Sequence, residues 1–248
     1  MARREHIDDL LRGWSFESNS LSVRQVKGAD GRQVIQMRID LGLMQMETAG
    51  RPDGHRPEGY ETYYDYLLTQ VLKEGNDLEL DDEQCAEVDR EFVQFYHRRI
   101  CWLALREFEM AVLDADHTLN LMDFCLKHSP DDHWTLSHEQ YRPFVLFHRI
   151  QAAALAKLDE PGPEAAVQTI NQGLERLRQV FDEYDVEEEF QDNELAQRLE
   201  SLRESLREQF QVGRTLQEQL DDAVSHEQYE LAAHLRDQLR KKLRRKKP

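Results

Sequence analysis

"RRICWLALREFEMAVLDADHTLNLMDF", residues Arg98 to Phe124, is the stretch on which the fold turns. Its apolar residues recur at spacings of three and four, the period of a helix and not of a strand. The rhythm resets once. A first helix ends near Leu105, and Phe108, Ala111 and Ala115 begin a second. Small residues at Ala111 and Ala115 allow two antiparallel helices to approach closely. The pair lies in a long helical region from about Cys85 to Lys127, which makes the chain mainly α.

Reading toward the C-terminus, "FVLFHRIQAAALAKLDEPGPEAAVQTINQGLERLRQVF" contains a second pair. Ala154 in its first helix is answered by Ala166, Ile170 and Gly173 in the next, across a Pro-Gly-Pro break. In this placing of small residues the two pairs resemble degenerate tetratricopeptide (TPR) repeats. The resemblance implies a stacked helical body with a surface for holding a partner. About three units normally make a free-standing array, so two units imply that flanking elements cap them.

Reading toward the N-terminus, "YETYYDYLLTQVLK" places Tyr60, Tyr63, Tyr64, Leu67, Leu68, Val71 and Leu72 on one helical stripe, read as core. Before it stands "ETAGRPDGHRPEG", Glu47 to Gly59, a Gly- and Pro-rich loop read as a connector. Earlier still the period changes to two. "SLSVRQVK" is followed by Gly28-Ala29-Asp30-Gly31 and then "RQVIQMRIDLGLMQM", where Ile35, Met37, Ile39, Leu41 and Leu43 alternate with polar or small residues. The pattern predicts a β-hairpin between about Ser20 and Met46. An isolated two-stranded hairpin is marginal in water, so Ile35, Ile39 and Leu41 are expected to face the helical body.

Beyond Phe181 the character changes. Asp182 to Glu194 holds eight acids and no base, which suits a solvated connector. Leu195, Leu199, Leu202 and Leu206 then recur four, three and four apart, and the register continues to Leu216, Leu220 and Ala223. One helix is expected from about Glu194 to Val224, with a soft spot at Gly213. The predicted organisation is therefore an N-terminal segment over residues 1–59 carrying the β-hairpin (20–46) and the Gly/Pro loop. A helical domain follows over 60–181, then an acidic linker and coiled-coil-like helix over 182–211, and a C-terminal hairpin over 212–248.

That last hairpin contains "LQEQLDDAVSHEQYELAAHLRDQLRKK", Leu216 to Lys242. Val212, Leu216, Leu220 and Val224 form one stripe, and Ala232, Leu235, Leu239 and Leu243 another, with a turn at "SHEQ" between them. Fewer than about 40 residues rarely build a sufficient core alone, so such a unit reads as a docking element. The segment resembles the UVR motif, the short helical hairpin of the excision-repair proteins UvrB and UvrC. The leucine-spaced first helix, the acidic turn, Tyr229, Glu230, the pair Ala232-Ala233 and Arg236-Asp237 carry the likeness. The resemblance implies docking of a protein partner, either a UVR-bearing protein or a second copy, through Tyr229, Glu230, Ala233, Arg236 and Asp237. Similar hairpins occur in an activator of protein-arginine kinases and in some Clp-family ATPases, so the motif does not by itself mean DNA repair.

Composition sets the remaining bounds. Seven of the eight residues from Arg240 to Lys247 are basic, so against a total of -17 the rest of the chain carries -24. Lys241, Lys242, Arg244, Arg245, Lys246 and Lys247 are the weak candidate for touching nucleic acid, since an acidic body would repel phosphate. A basic run also suits the negative end of a helix. No apolar run approaches a membrane span, and the N-terminus lacks the apolar core of a signal peptide. Three cysteines without a CxxC pair suggest reduced thiols in the cytoplasm. "CLKHSPDDHWTLSH" offers Cys125, His128, Asp131, Asp132, His133 and His138, but the spacing fits no common zinc pattern. No phosphate loop, GxSxG or HExxH occurs. The expected function is thus a non-catalytic adaptor without cofactor or metal. The alternative is an accessory factor of nucleotide excision repair that recruits a UvrB- or UvrC-type partner.

Overall fold

In the computed structural model, which describes residues 7–75 and 78–245, helices dominate and one small sheet lies near the N-terminus. The chain divides into two units, Met1–Ala152 and Ala153–Pro248.

The sheet of the first unit has three strands, not two. β1 (Val23–Lys27), β2 (Gln33–Ile39) and β3 (Gly42–Glu47) pair antiparallel in the order β1-β2-β3. The segment expected as one long strand folds back at Asp40-Leu41, so that Ile39 pairs with Gly42, Met37 with Met44 and Ile35 with Met46. A two-residue connection reverses the parity of the inward face. Odd positions point to the core before the turn and even positions after it. Leu41, expected to face the helices, stands in the turn and is 91% exposed.

Ile35, Met37 and Met46 are buried against Cys101, Trp102, Ala111 and Ala152, with Ile39 and Met44 partly buried beside them. Central β2 is covered on its other face too, where Val34 and Gln36 are buried. There Gln36 Oε1 accepts from Arg24 Nε at 2.9 Å, Gln36 Nε2 donates to Gln45 Oε1 at 3.0 Å, and the Arg24 guanidinium lies 3.9 Å from the Trp14 ring centroid.

Helix α1 (Asp8–Leu11) precedes the sheet; α2 (Tyr63–Glu74), α3 (Asp82–Leu105), α4 (Phe108–His128) and α5 (Asp132–Glu139) follow it, and α6 (Arg142–Leu155) carries the chain into the second unit. The α3–α4 reversal falls where the sequence places it, at Arg106, whose φ of 63° ends α3 in the left-handed region. Ion pairing locks the two helices: Arg98 donates to both Asp114 oxygens, at 2.9 and 2.7 Å, and both side chains are buried. Arg98 also donates to the carbonyls of Glu47 and Gly50, pinning the connector after β3. Buried Arg51 pins the same loop through Glu87 at 2.8 Å. Gly50 is needed there, because its φ is +63° and a Cβ would stand 3.2 Å from the Glu61 carbonyl oxygen.

Helix α2 is shorter and less buried than its stripe suggests. Tyr60 precedes it, Tyr63 and Leu67 are buried, and Leu68 and Leu72 are exposed, Leu72 at 86%. A three-and-four pattern wide enough to include Leu68 and Leu72 covers more of the helix surface than α3 and α4 occupy.

In the second unit α7 (Pro163–Glu183) packs on α8 (Glu194–Phe210) through buried Ile170, Leu174 and Leu177 on one side and Leu199 and Leu206 on the other. The acidic segment between them turns through a single 3-10 turn, anchored by Phe190 edge-on to Phe181 at 5.6 Å. The helix expected to run unbroken to Val224 stops at Phe210. Gln211 adopts φ 53° and its backbone N–H returns to the Arg207 carbonyl. Leucine spacing does not register such a break, because the seam resumes in phase after it.

Candidate partner-binding hairpin

Thr215 restarts the helix. Its hydroxyl accepts from the Glu218 N–H at 3.3 Å while Glu218 Oε2 accepts from the Thr215 N–H at 2.7 Å, a reciprocal capping box that satisfies two free donors. Helix α9 (Leu216–Ser225) and helix α10 (Tyr229–Arg245) follow from it. Arg207 of α8 pairs with the same Glu218. Burial raises the Glu218 carboxyl, but the hydrogen bonds from Thr215 and Arg207 outweigh it and hold its pKa below the usual range.

The turn is made by His226, Glu227 and Gln228. Glu227 takes φ 56°, its N–H donates to Val224, and the Gln228 N–H donates to Ala223 at 2.8 Å. Ala223, Ala232 and Leu235 are buried between the helices, with Leu216 and Leu220 partly buried beside them. Two alanines facing each other set the close spacing. Of the stripes read from the sequence, Leu216, Leu220, Ala232 and Leu235 face this seam; Val212 precedes α9, and Val224 is exposed, with Ala223 in the inner position.

The proposed contact residues fall around this frame. Tyr229, at the first turn of α10, is 68% exposed. Glu230, Arg236 and Asp237 are exposed, and Ala233 is half-buried. Arg236 Nη2 lies 3.3 Å from Asp237 Oδ1, an exposed pair of adjacent residues that contributes little to stability. Val224, read from the sequence as part of the inner stripe, and Leu231, which the sequence reading does not name, are exposed and flank the same turn. Lys241 is exposed on α10; α10 includes Lys242, Arg244 and Arg245, while Lys246 and Lys247 lie outside the described residues.

The histidine-rich segment is divided among separate tasks. His128 Nδ1 contacts the Leu78 carbonyl at 2.8 Å, and His138 Nε2 stands 2.9 Å from Asp89 Oδ1. Among the described residues no group of three His, Cys, Asp or Glu side chains is placed to hold a metal ion. Cys85, Cys101 and Cys125 are free and buried, and burial pushes the first two thiols up to about 11 and about 12 and raises the third further. No helix among the described residues is long and apolar enough to cross a membrane.

A protein-family model described as the UvrB/uvrC motif matches residues 214–244, the span of α9, the turn and α10. No curated protein matches, and neither does any solved structure.

Proposed function

We propose that this chain is a non-catalytic adaptor whose UVR hairpin docks a protein partner. The carrying observation is the division of the hairpin's apolar residues. Ala223, Ala232 and Leu235 satisfy one another inside, while Val224, Tyr229 and Leu231 remain exposed around one turn. Exposed aromatic and aliphatic groups beside charged neighbours suit a compact interface, in which an aromatic ring buries large area at low rotamer cost. A second UVR hairpin, from another copy or another protein, offers a matching surface. The helical body is TPR-like in this reading and holds a different client; the fully buried Ala111, Ala154 and Ala166 support close helix packing there.

Binding of the full chain to itself and to a purified UVR-bearing protein tests the reading. Tyr229→Ala should cost about 2 kcal/mol or more of affinity, with helicity and melting temperature unchanged. A variant that binds as before, or that unfolds, would return the hairpin to internal packing. Salt-sensitive DNA binding lost on removal of residues 240–248 would instead favour an accessory factor of excision repair.

A further inference from the structure

A cleft of ≈ 710 Å³ opens in the first unit, with residues of α3, α4, α5 and α6 in its walls. Phe92, Tyr96, Met122, Phe144 and Val145 make it largely apolar, and Val93 and Tyr141 remain exposed at its rim. The volume lies within the ordinary range for small-molecule sites, roughly 300–1,000 Å³.

Arg99 also lines this cleft, and it is only 1% exposed. Its guanidinium has neutral partners: Nη1 donates to Thr118 Oγ1 at 2.9 Å, and Nε approaches His148 Nδ1 at 3.4 Å. Among the described residues no carboxylate lies within ion-pairing distance of it. The nearest acid in charge terms, Asp114, is held by both arms of Arg98. Two neighbouring guanidinium groups thus share one carboxylate, leaving a positive charge in a poorly hydrated place. Burial lowers the Arg99 pKa to about 10, and burial together with Arg99 lowers His148 to about 4. His148 is therefore neutral near pH 7 and cannot relieve or reinforce the charge. An uncompensated buried cation is costly, and a matching anion recovers that cost.

We propose that this cleft binds a small monocarboxylic acid with an aromatic or aliphatic body, its carboxylate paired with Arg99 and its body lying among Phe92, Tyr96 and Phe144. The Thr118 hydroxyl accepts from Arg99 and donates to the Asp114 carbonyl at 2.8 Å, so it holds the guanidinium in place. Asp89 also lines the cleft, where its carboxylate accepts from Trp134 Nε1 at 3.0 Å and stands 2.9 Å from His138 Nε2. The residues concerned lie outside the hairpin, so the inference stands apart from the docking reading.

Calorimetric titration of the full chain with 3-phenylpropanoate and with octanoate, each beside its uncharged primary amide, tests this. At least one acid should bind one-to-one with a Kd at or below about 1 mM, and at least about tenfold tighter than its amide. Arg99→Gln should make acid and amide equal. Val93→Asp, a rim change at an exposed position, should weaken the acid severalfold whether or not Arg99→Gln folds. Absence of binding by both acids, equal binding of acid and amide to the unaltered chain, or indifference to Val93→Asp would each overturn the proposal.

Discussion

At the scale of single residues, buried polar groups do the fastening. Glu91 is fully buried on α3, where its carboxyl accepts from the Tyr63 and Tyr64 backbone N–H groups at 2.7 and 3.1 Å and meets His117 Nε2 at 2.9 Å. It caps the start of α2 from another helix, supplying an acceptor to donors that have no partner within their own helix. Glu91→Ala should destabilise the chain by about 1–3 kcal/mol, because it leaves those donors buried and unpaired. Glu91→Gln, which keeps an acceptor, should cost less. Urea unfolding of both variants checks the order. Arg98, Arg51 and Arg142 act in the same way, each reaching from a helix or loop to an acid that fixes a neighbour.

At the scale of elements, the sheet gives the sharpest contrast. Met46 and Leu41 have similar hydrophobicity and sit five residues apart, yet one is buried and the other is in a turn. Met46→Ala should cost about 2–5 kcal/mol through lost contacts and a cavity beneath the sheet. Leu41→Ser should stay within about 0.5 kcal/mol of the parent. Paired denaturation curves measure both. Equal costs would mean that β2 and β3 are out of the register given by the Ile35–Met46 pair. The hairpin follows a parallel logic, in which Ala223 packs and Val224 does not, although both belong to apolar stripes of the same helix.

At the scale of the whole molecule, buried histidines couple folding to pH. His148 titrates near 4 when folded against 6.5 for the free group, and burial lowers His138 as well. Between those values the unfolded chain binds more protons than the folded one, so stability rises with pH across the window. The contribution is complete above about pH 6.5, shrinks as pH falls, and stops changing below about pH 4. Denaturation midpoints should therefore drop from pH 7 to pH 5, and His148→Gln should flatten that slope. A slope unchanged in the variant would place the coupling elsewhere. The three cysteines give a second global readout: buried thiols with raised pKa should resist alkylation until the chain unfolds.

What the sequence by itself determined is what acts within a turn or two of helix or strand. Periods of three to four and of two separate the helices from the sheet. The α3–α4 reversal follows from the interrupted stripe at Leu105, and the turn read at "SHEQ" separates α9 from α10. The UVR hairpin was legible because spacing, turn and small-residue pair all lie within residues 214–244. Tertiary structure decided the rest. The fold-back at Asp40-Leu41 is invisible to alternation, since one strand of fifteen residues and two short ones share the pattern, and only the helices beneath choose which methionines to bury. The break at Gln211 is likewise hidden by leucines that stay in phase across it. Arg98 and Arg99 are adjacent and chemically identical, yet one meets Asp114 and the other lines an apolar cleft with neutral partners. Neighbours on a helix point about 100° apart, so their surroundings are set by different elements, and no local pattern carries that difference.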